Sequence, residues 1–329
     1  MSVLVTGGAG YIGSHMVWQL IDSGEEAVVL DNLTTGFDWA VAPEATLVEG
    51  ECGDVALVER LIDEHAVEAI IHFAGSVVVP ESVADPLGYY RNNTVQAHAL
   101  IQAAVKGKVR HFIFSSTCAV YGTPAVVPVS EDAPLLPESP YGRSKQMVEM
   151  MLADTARAHD ISYVALRYFN VAGADPAGRT GQSTRGATHL IKVACETALE
   201  KSEQMTVYGT DYPTADGTCV RDYIHVTDLV RAHADALAYL RSGGECLVAN
   251  CGYGRGFSVL EVIETVKKVS GRDFKVVTGG QRPGDPVSVI AAPALIKKRL
   301  GWRPDHDTLE EIVGSALSWE VSLSRRNLQ

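Results

Sequence analysis

The segment Thr6-Gly7-Gly8-Ala9-Gly10-Tyr11-Ile12-Gly13 constrains this chain more than any other. An apolar run over 3–6 leads into it, and a helical pattern over 14–23 follows and stops at Gly24. Gly8, Gly10 and Gly13 give the spacing GxGxxG, while Thr6, Gly7, Gly10 and Gly13 give TGxxGxxG. Such a loop turns tightly, lets backbone approach a pyrophosphate, and lets the helix sit close on the strand. The free N–H groups at the helix start then face the phosphates. The spacing is weak evidence alone; its place between a strand and a helix is the context that gives it meaning. An acidic residue is expected about 20 positions on, where it would hold ribose hydroxyls. Asp31 stands there, at the end of the second apolar run, and its charge favours NAD over a cofactor with a 2′-phosphate.

The rest of the first half alternates in the same way. Strands are predicted over 27–30, 69–73, 111–115 and 163–167, with helices over 55–65, 93–104 and 144–159. This alternation means βαβ units and a parallel sheet with helices on both faces. Residues 174–186 are rich in Gly, Pro and Asp and read as loop. Helices are predicted over 189–201, 227–241 with Thr227 as N-cap, 258–270 and 309–319, and 247–250 reads as one more strand of the first sheet. The fold class is therefore α/β: a doubly wound parallel (Rossmann) sheet with a smaller, discontinuous α/β substrate domain. Residues 1–170 with about 226–253 would form the dinucleotide domain, and about 171–225 with 254–329 the other.

Composition narrows the partners. The chain has 329 residues, 46% hydrophobic and 21% charged, enough for one large or two modest cores. The net charge of −12 argues against nucleic-acid binding, which needs clustered Lys and Arg. No window approaches a membrane helix and no leader pattern precedes the first strand, so the cytoplasm is the expected location. The six Cys form no CxxC pair and read as reduced thiols; no metal site is expected.

Tyr141-Gly142-Arg143-Ser144-Lys145 puts a phenol and an ammonium four residues apart, on one helical face. A free Tyr is only about one part in a thousand phenolate at neutral pH, and a nearby cation favours the phenolate. The pair is thus a candidate general base for a hydroxyl proton. The strand over 111–115 runs out into Ser116 and Thr117, and strand C-termini of a doubly wound sheet open onto the cofactor crevice. Thr117 is thereby placed to bond the reacting oxygen.

These residues resemble the extended short-chain dehydrogenase/reductase superfamily, and within it the UDP-glucose 4-epimerases. The resembling segments are VLVTGGAGYIGSH at 3–15, LDNL at 30–33, IIHFAG at 70–75, ESV at 81–83, YYRNN at 89–93 and FIFSSTCAVYG at 112–122. SPYGRSK at 139–145, LRYFNVAGA at 166–174, YGTDYPTADGTCVRDYIHVTDL at 208–229 and RPGDP at 282–286 complete the set. The resemblance implies an NAD-dependent isomerase. Tyr141 would take the proton of the sugar 4-hydroxyl as hydride leaves C4 for NAD, Thr117 would bond the same oxygen, and Lys145 would hold the nicotinamide ribose. The 4-keto sugar would then rotate and be re-reduced. Cofactor-binding positions carried over are Gly7, Gly10, Tyr11, Ile12, Gly13, Asp31, Asn32, Glu51, Cys52, Phe73, Ala74, Gly75 and Asn92, together with Tyr141, Lys145, Tyr168 and Phe169. The UDP-sugar positions are Thr117, Asn170, His189, Leu190, Thr206, Tyr208, Arg221, Arg282, Asp285 and Val289.

The departures are specific. Thr117 stands where many members have Ser, and Val77 where several have a Lys that reaches the cofactor. His189 stands where Asn often meets the ligand. Val289, four residues after Asp285, is smaller than the Tyr found in some members, which implies room for a 2-acetamido group. Cys118 and Ala119 stand where dehydratases of the superfamily carry an Asp-Glu pair, which argues against loss of water. A pentose or uronate 4-epimerase and a catalytically silent dinucleotide sensor are the alternatives; an intact Thr117, Tyr141 and Lys145 argues against the second. The resemblance also implies a homodimer formed through the helices over 93–104 and 144–159.

Overall fold

The computed structural model describes residues 2–282 and 285–326. Thirteen strands run in chain order: β1 Ser2–Thr6, β2 Glu26–Asp31, β3 Thr46–Glu49, β4 Val67–His72, β5 His111–Thr117, β6 Ser162–Tyr168, β7 Asn170–Ala172, β8 Met205–Tyr208, β9 Val220–His225, β10 Leu247–Cys251, β11 Gly256–Ser258, β12 Val276–Gly279 and β13 Ser288–Val289. The helices among them are α1 Tyr11–Asp22, α2 Val55–His65, α3 Val79–Ala84, α4 Pro86–Tyr89, α5 Gln96–Lys106, α6 Pro140–Ala158, α7 Leu190–Ala198, α8 Val226–Arg241, α9 Val259–Ser270, α10 Ala294–Leu300 and α11 Leu309–Arg326.

Seven strands form one parallel sheet in the order β10-β6-β5-β4-β1-β2-β3. The chain winds outward from β1 in one direction, then returns and winds in the other, so the crevice lies where β1 and β4 diverge. Alternate side chains feed two cores. Val3, Val5, Ile71, Ile113 and Val164 pack with Met16 of α1 and Leu229 and Leu237 of α8. Leu4, Ile70, Phe112 and Phe114 pack with Val58 of α2, Leu100 of α5 and Val148 of α6. Burying each such Val, Leu, Ile or Phe contributes about 1.5–3 kcal/mol. The second region is built around β9, which pairs parallel with β7 and β13 and antiparallel with β11. β8 and β12 form a separate parallel pair, and α7, α9 and α11 cover a third core containing Ile191, Val262 and Ile312.

Several boundaries differ from those expected. α6 begins at Pro140 because the Ser139 hydroxyl accepts the Gly142 N–H at 3.1 Å, so Tyr141 lies inside the helix. α5 begins at Gln96, behind a wide π-helical turn over Tyr90–Val95. Thr227 does not cap α8; His225 does, its ring Nδ1 accepting the Thr227 N–H at 3.1 Å. α7 ends at Ala198 and α11 continues past Trp319 to Arg326. Among the described residues no helix is long and apolar enough to cross a membrane, and no cluster of three His, Cys, Asp or Glu is arranged to hold a metal.

Candidate active site

The glycine loop turns immediately after β1. The Gly7 N–H donates to the Leu30 carbonyl at 2.9 Å, and the Ser14 N–H donates back to Gly10 at 2.9 Å to close the first turn of α1. The N–H groups of Tyr11, Ile12 and Gly13 therefore lie in the turn that an α-helix leaves unpaired. Gly7 has φ +73°, and a Cβ there would lie 2.6 Å from the Ala74 backbone nitrogen. Phe73 and Ala74 both donate to the Thr6 carbonyl, at 2.9 and 3.1 Å, so the segment Phe73–Ala74–Gly75 lies directly beside the loop.

Asp31 is buried at the end of β2. Its Oδ2 accepts the Ala9 N–H and its Oδ1 the Leu33 N–H, both at 2.9 Å, which ties the loop to β2. Each oxygen keeps a further lone pair for a ligand. Asn32 Nδ2 donates to Glu51 Oε1 at 3.1 Å, and Gln96 Nε2 donates to Glu51 Oε2 at 2.9 Å. Gln96 Oε1 in turn accepts the Gly53 N–H at 2.8 Å. Sequence reasoning missed Gln96, because nothing in its local spacing marks it. Cys52 is buried beside them, and burial, aided by the Glu51 charge, pushes its thiol up to about 12. Asn92 donates to the Ser76 hydroxyl at 2.8 Å, and Val77 stands half-exposed beside it.

Thr117 ends β5, Tyr141 opens α6 and Lys145 follows one turn on; all three are buried. The Thr117 hydroxyl accepts the Ala119 N–H at 3.1 Å and stands near the Tyr141 phenol. Burial raises the phenol above its ordinary value, Tyr168 adds to the rise, and the Thr117 hydrogen bond opposes it. Lys145 does not bring the expected depression. Its Nζ donates to the Ser115 carbonyl at 3.0 Å and lies 4.9 Å above the Phe114 ring, so the ammonium is fixed on the strand while burial dominates the phenol. Burial also pushes Lys145 down to about 8, which leaves it largely protonated at neutral pH. Tyr168 is the register partner of Thr117 on β6.

The wall opposite is assembled from distant segments. Phe169, Val289 and Ala291 form one buried cluster, with Cys118 packed against it. Phe169 is thus buried in a small core cluster that reaches the turn after Thr117. Val289 pairs in register with Arg221. Arg221 Nη2 lies 3.1 Å from Asp285 Oδ1, so these two expected ligand residues form an ion pair with each other. The Arg282 guanidinium lies 3.8 Å above the ring of Tyr208, and Thr206 precedes Tyr208 by two residues on β8. Asn170, His189 and Leu190 line one cleft together with Tyr11, Gln182 and Trp319. His189 sits exposed on that cleft's rim, its Nδ1 at 3.4 Å from Gln182 Nε2. Gln182 and Trp319 are further lining residues that the sequence did not single out.

The close approach of Ala74 to Gly7, the buried carboxylate at the loop and the row of helix-start N–H groups fit a dinucleotide. Comparison with known proteins agrees. Residues 3–252 match the model of the NAD dependent epimerase/dehydratase family. The UDP-glucose 4-epimerase of Azospirillum brasilense is 54% identical over 98% of this chain and 93% of its own. The crystal structure of UDP-glucose 4-epimerase from Brucella ovis in complex with NAD is 44% identical, with a TM-score of 0.94 over 96% of this chain and 97% of that one. The UDP-Glc/GlcNAc 4-epimerase of Campylobacter jejuni is 46% identical, with a TM-score of 0.85 over 98% and 99% of the two chains. With a family match over most of its length and relatives more than 40% identical from end to end, the chain belongs to the NAD dependent epimerase/dehydratase family and, within it, to the UDP-glucose 4-epimerases.

Proposed function

We propose that this protein interconverts UDP-glucose and UDP-galactose at C4 of the hexose, with NAD held on the enzyme. The observation that carries the reading is the packing of the first turn of α6, which holds Tyr141, on the turn that follows Thr117 at the C-terminal end of β5, with Lys145 one turn further along the helix. Gly7, Gly10 and the N–H groups of Tyr11, Ile12 and Gly13 would hold the pyrophosphate of NAD. Asp31 would hold the adenosine ribose, with Asn32, Glu51 and Cys52 near the base. Phe73, Ala74, Gly75, Asn92, Tyr168 and Phe169 would line its remaining length. When bound, NAD supplies the hydride acceptor for C4 and the hydride donor for its return.

The chain's own groups do the rest. Tyr141 removes the proton of the 4-hydroxyl and later returns it. Thr117 donates a hydrogen bond to the same oxygen and holds it against the phenol. Lys145, still cationic at neutral pH, bonds the nicotinamide ribose. Arg221 and Arg282 pair with the diphosphate through charge-assisted hydrogen bonds, Arg221 exchanging part of its pairing with Asp285 for the ligand. Tyr208, Thr206, Asn170, His189 and Leu190 contact the nucleotide end. The 4-keto sugar turns between the two walls so that hydride returns to its other face. Residues 1–170 with about 226–253 serve the cofactor, and about 171–225 with 254–329 the UDP-sugar. The placing of β10 in the large sheet and of β7, β9, β11 and β13 outside it supports that division.

Val289 favours a second substrate class. It is buried against Phe169 and Ala291, and a valine there takes less room than a tyrosine would, which supports turnover of UDP-GlcNAc and UDP-GalNAc as well. A cytoplasmic homodimer is part of the same reading. Val95, Met147 and Met150, exposed on the turn before α5 and on α6, support a helical interface between subunits. The test is incubation of the purified protein with UDP-galactose, without added NAD, and resolution of the products. UDP-glucose is the expected product. Absence of turnover on UDP-galactose, UDP-GlcNAc and pentose or uronate UDP-sugars, even with NAD added, would overturn the reading.

A further inference from the structure

Helix α6 presents a third buried polar group in line with its two catalytic ones. Tyr141, Lys145 and Glu149 are spaced four residues apart and share one face. Glu149 touches no position expected to meet ligand. Its carboxylate accepts Arg167 Nε at 2.9 Å and Arg167 Nη2 at 2.6 Å, a two-point pairing, and also the Ser116 hydroxyl at 2.5 Å. Both side chains of the pair are nearly inaccessible. Arg167 Nη1 then donates to the Tyr121 hydroxyl at 3.0 Å, which donates to Asn250 Oδ1 at 2.7 Å. Asn250 Nδ2 closes the chain on the Val129 carbonyl at 2.9 Å.

Every member sits next to a working part. Ser116 immediately precedes Thr117 on β5, Arg167 immediately precedes Tyr168 on β6, Tyr121 lies in the turn after Thr117, and Glu149 is on the helix of Tyr141 and Lys145. A buried ion pair of this kind is weak evidence for stability, because desolvation offsets much of its attraction. Its geometric content is larger, since a planar guanidinium bound at two points fixes direction as well as distance.

We propose that the Ser116–Glu149–Arg167–Tyr121 cluster is a positioning device that sets the distance between the Tyr141 phenol and the Thr117 hydroxyl. Glu149 and Tyr141 are eight residues apart, about 12 Å along the helix. A tilt of about 5° pivoting at Glu149 would move the phenol by about 1 Å, and a displacement of that size can cost about a hundredfold in rate. The cluster thus acts through Tyr141 and Thr117 and makes no contact with substrate of its own.

The inference rests on the proposed epimerase reaction, and its test keeps the two apart. Two variants serve: Ser116→Ala, which removes one hydrogen bond, and Glu149→Gln combined with Arg167→Met, which removes the buried charges together. Wild type and both variants are assayed on UDP-galactose across pH. In folded variants kcat should fall tenfold or more while KM changes less than threefold, and the limb of the pH profile reporting Tyr141 should shift. Folded variants with wild-type kcat and pH profile would overturn the positioning role. Should wild type itself turn over no UDP-sugar, the functional reading fails independently, and hydrogen exchange then judges the cluster. Faster exchange of amides 140–146 in the variants, with α2 and α5 unchanged, supports it; wild-type exchange there overturns it.

Discussion

Gly13→Ala should separate the structural and the ligand-binding work of the glycine loop. A Cβ on Gly13 would lie 2.0 Å from the Gly7 carbonyl oxygen and 2.8 Å from both the Gly7 carbonyl carbon and the Gly8 Cα. Ordinary contact begins at 3.4 Å, so α1 would have to retreat by about 1.4 Å, the difference between 3.4 and 2.0 Å. The colliding atoms are backbone on both sides, so no side-chain rotation relieves them. Nor is α1 free to move: Met16, Val17 and Leu20 are buried in the core it shares with α8. Overpacking of this kind costs about 1–3 kcal/mol. The same retreat carries the helix-start N–H groups away from the phosphates. Gly10→Ala is the contrast. Its φ is −76° and its Cβ would meet only the Gly7 oxygen at 3.3 Å, so the protein itself tolerates it. In the proposed binding mode the methyl would instead stand where backbone must approach a pyrophosphate. The assays are urea unfolding and the amount of NAD released on denaturing the purified protein. Gly13→Ala should lose about 1–3 kcal/mol of stability and most of its NAD; Gly10→Ala should lose NAD with stability within about 0.5 kcal/mol of wild type. A Gly13→Ala protein of unchanged stability, or a Gly10→Ala protein with a full complement of NAD, would refute the reasoning.

Tyr141→Phe should lower kcat by about 10²- to 10⁴-fold, the usual worth of a general acid–base, while NAD content stays at the wild-type level; a loss below tenfold would remove Tyr141 from proton transfer. Met147→Glu combined with Met150→Glu places charge on the exposed apolar face of α6 and should convert a dimer into monomers by light scattering; an unchanged mass would move the interface elsewhere. Asp222 makes a pH prediction. Its carboxyl accepts N–H groups from Tyr253, Gly254 and Ala291, yet burial pushes it up from 3.8 to about 6. A raised carboxyl contributes stability below the unfolded value, and that contribution is lost as pH rises through about 6. Unfolding free energies of wild type minus those of Asp222→Asn should therefore fall between pH 4 and pH 7, by at most about 3 kcal/mol for a shift near two units. A flat difference over this window would show that the three N–H donors balance burial, and a rising one that they outweigh it.

What the sequence made legible is what its local spacing encodes. The glycine loop, Asp31 and the Tyr-x-x-x-Lys pair are each readable because a tight turn, a strand end and a helix face each impose a short, fixed interval. Helix α2 was readable to the residue, having a clean apolar face and Asp54 as its cap. β3 was not: Thr46–Glu49 is a four-residue edge strand, half-buried and polar at both ends, with too few residues to show a period of two. The strands about β9 were harder still. β7, β11 and β13 contain three, three and two residues and come from opposite ends of the second region, so only long-range pairing makes them strands.

The site divides along the same line. Residues proposed to act on ligand through their own chemistry, such as Thr117 and Tyr141, can be picked out one at a time. Those that act through what they stand against cannot. The burial of Phe169 is not readable locally, because it packs on Val289 and Cys118, 120 and 51 positions away. The setting of Lys145 shows the same limit: a helical interval says which side chains share a face, but not that the Ser115 carbonyl takes the ammonium at 3.0 Å. The phenol consequently sits in a place where burial raises its pKa and the protein's own cation is turned to the strand. Its proton affinity is then most sensitive to whatever charge enters the crevice beside it, since charge acts most strongly where water is excluded. In the proposed reaction that burial would couple the proton step to an occupied site.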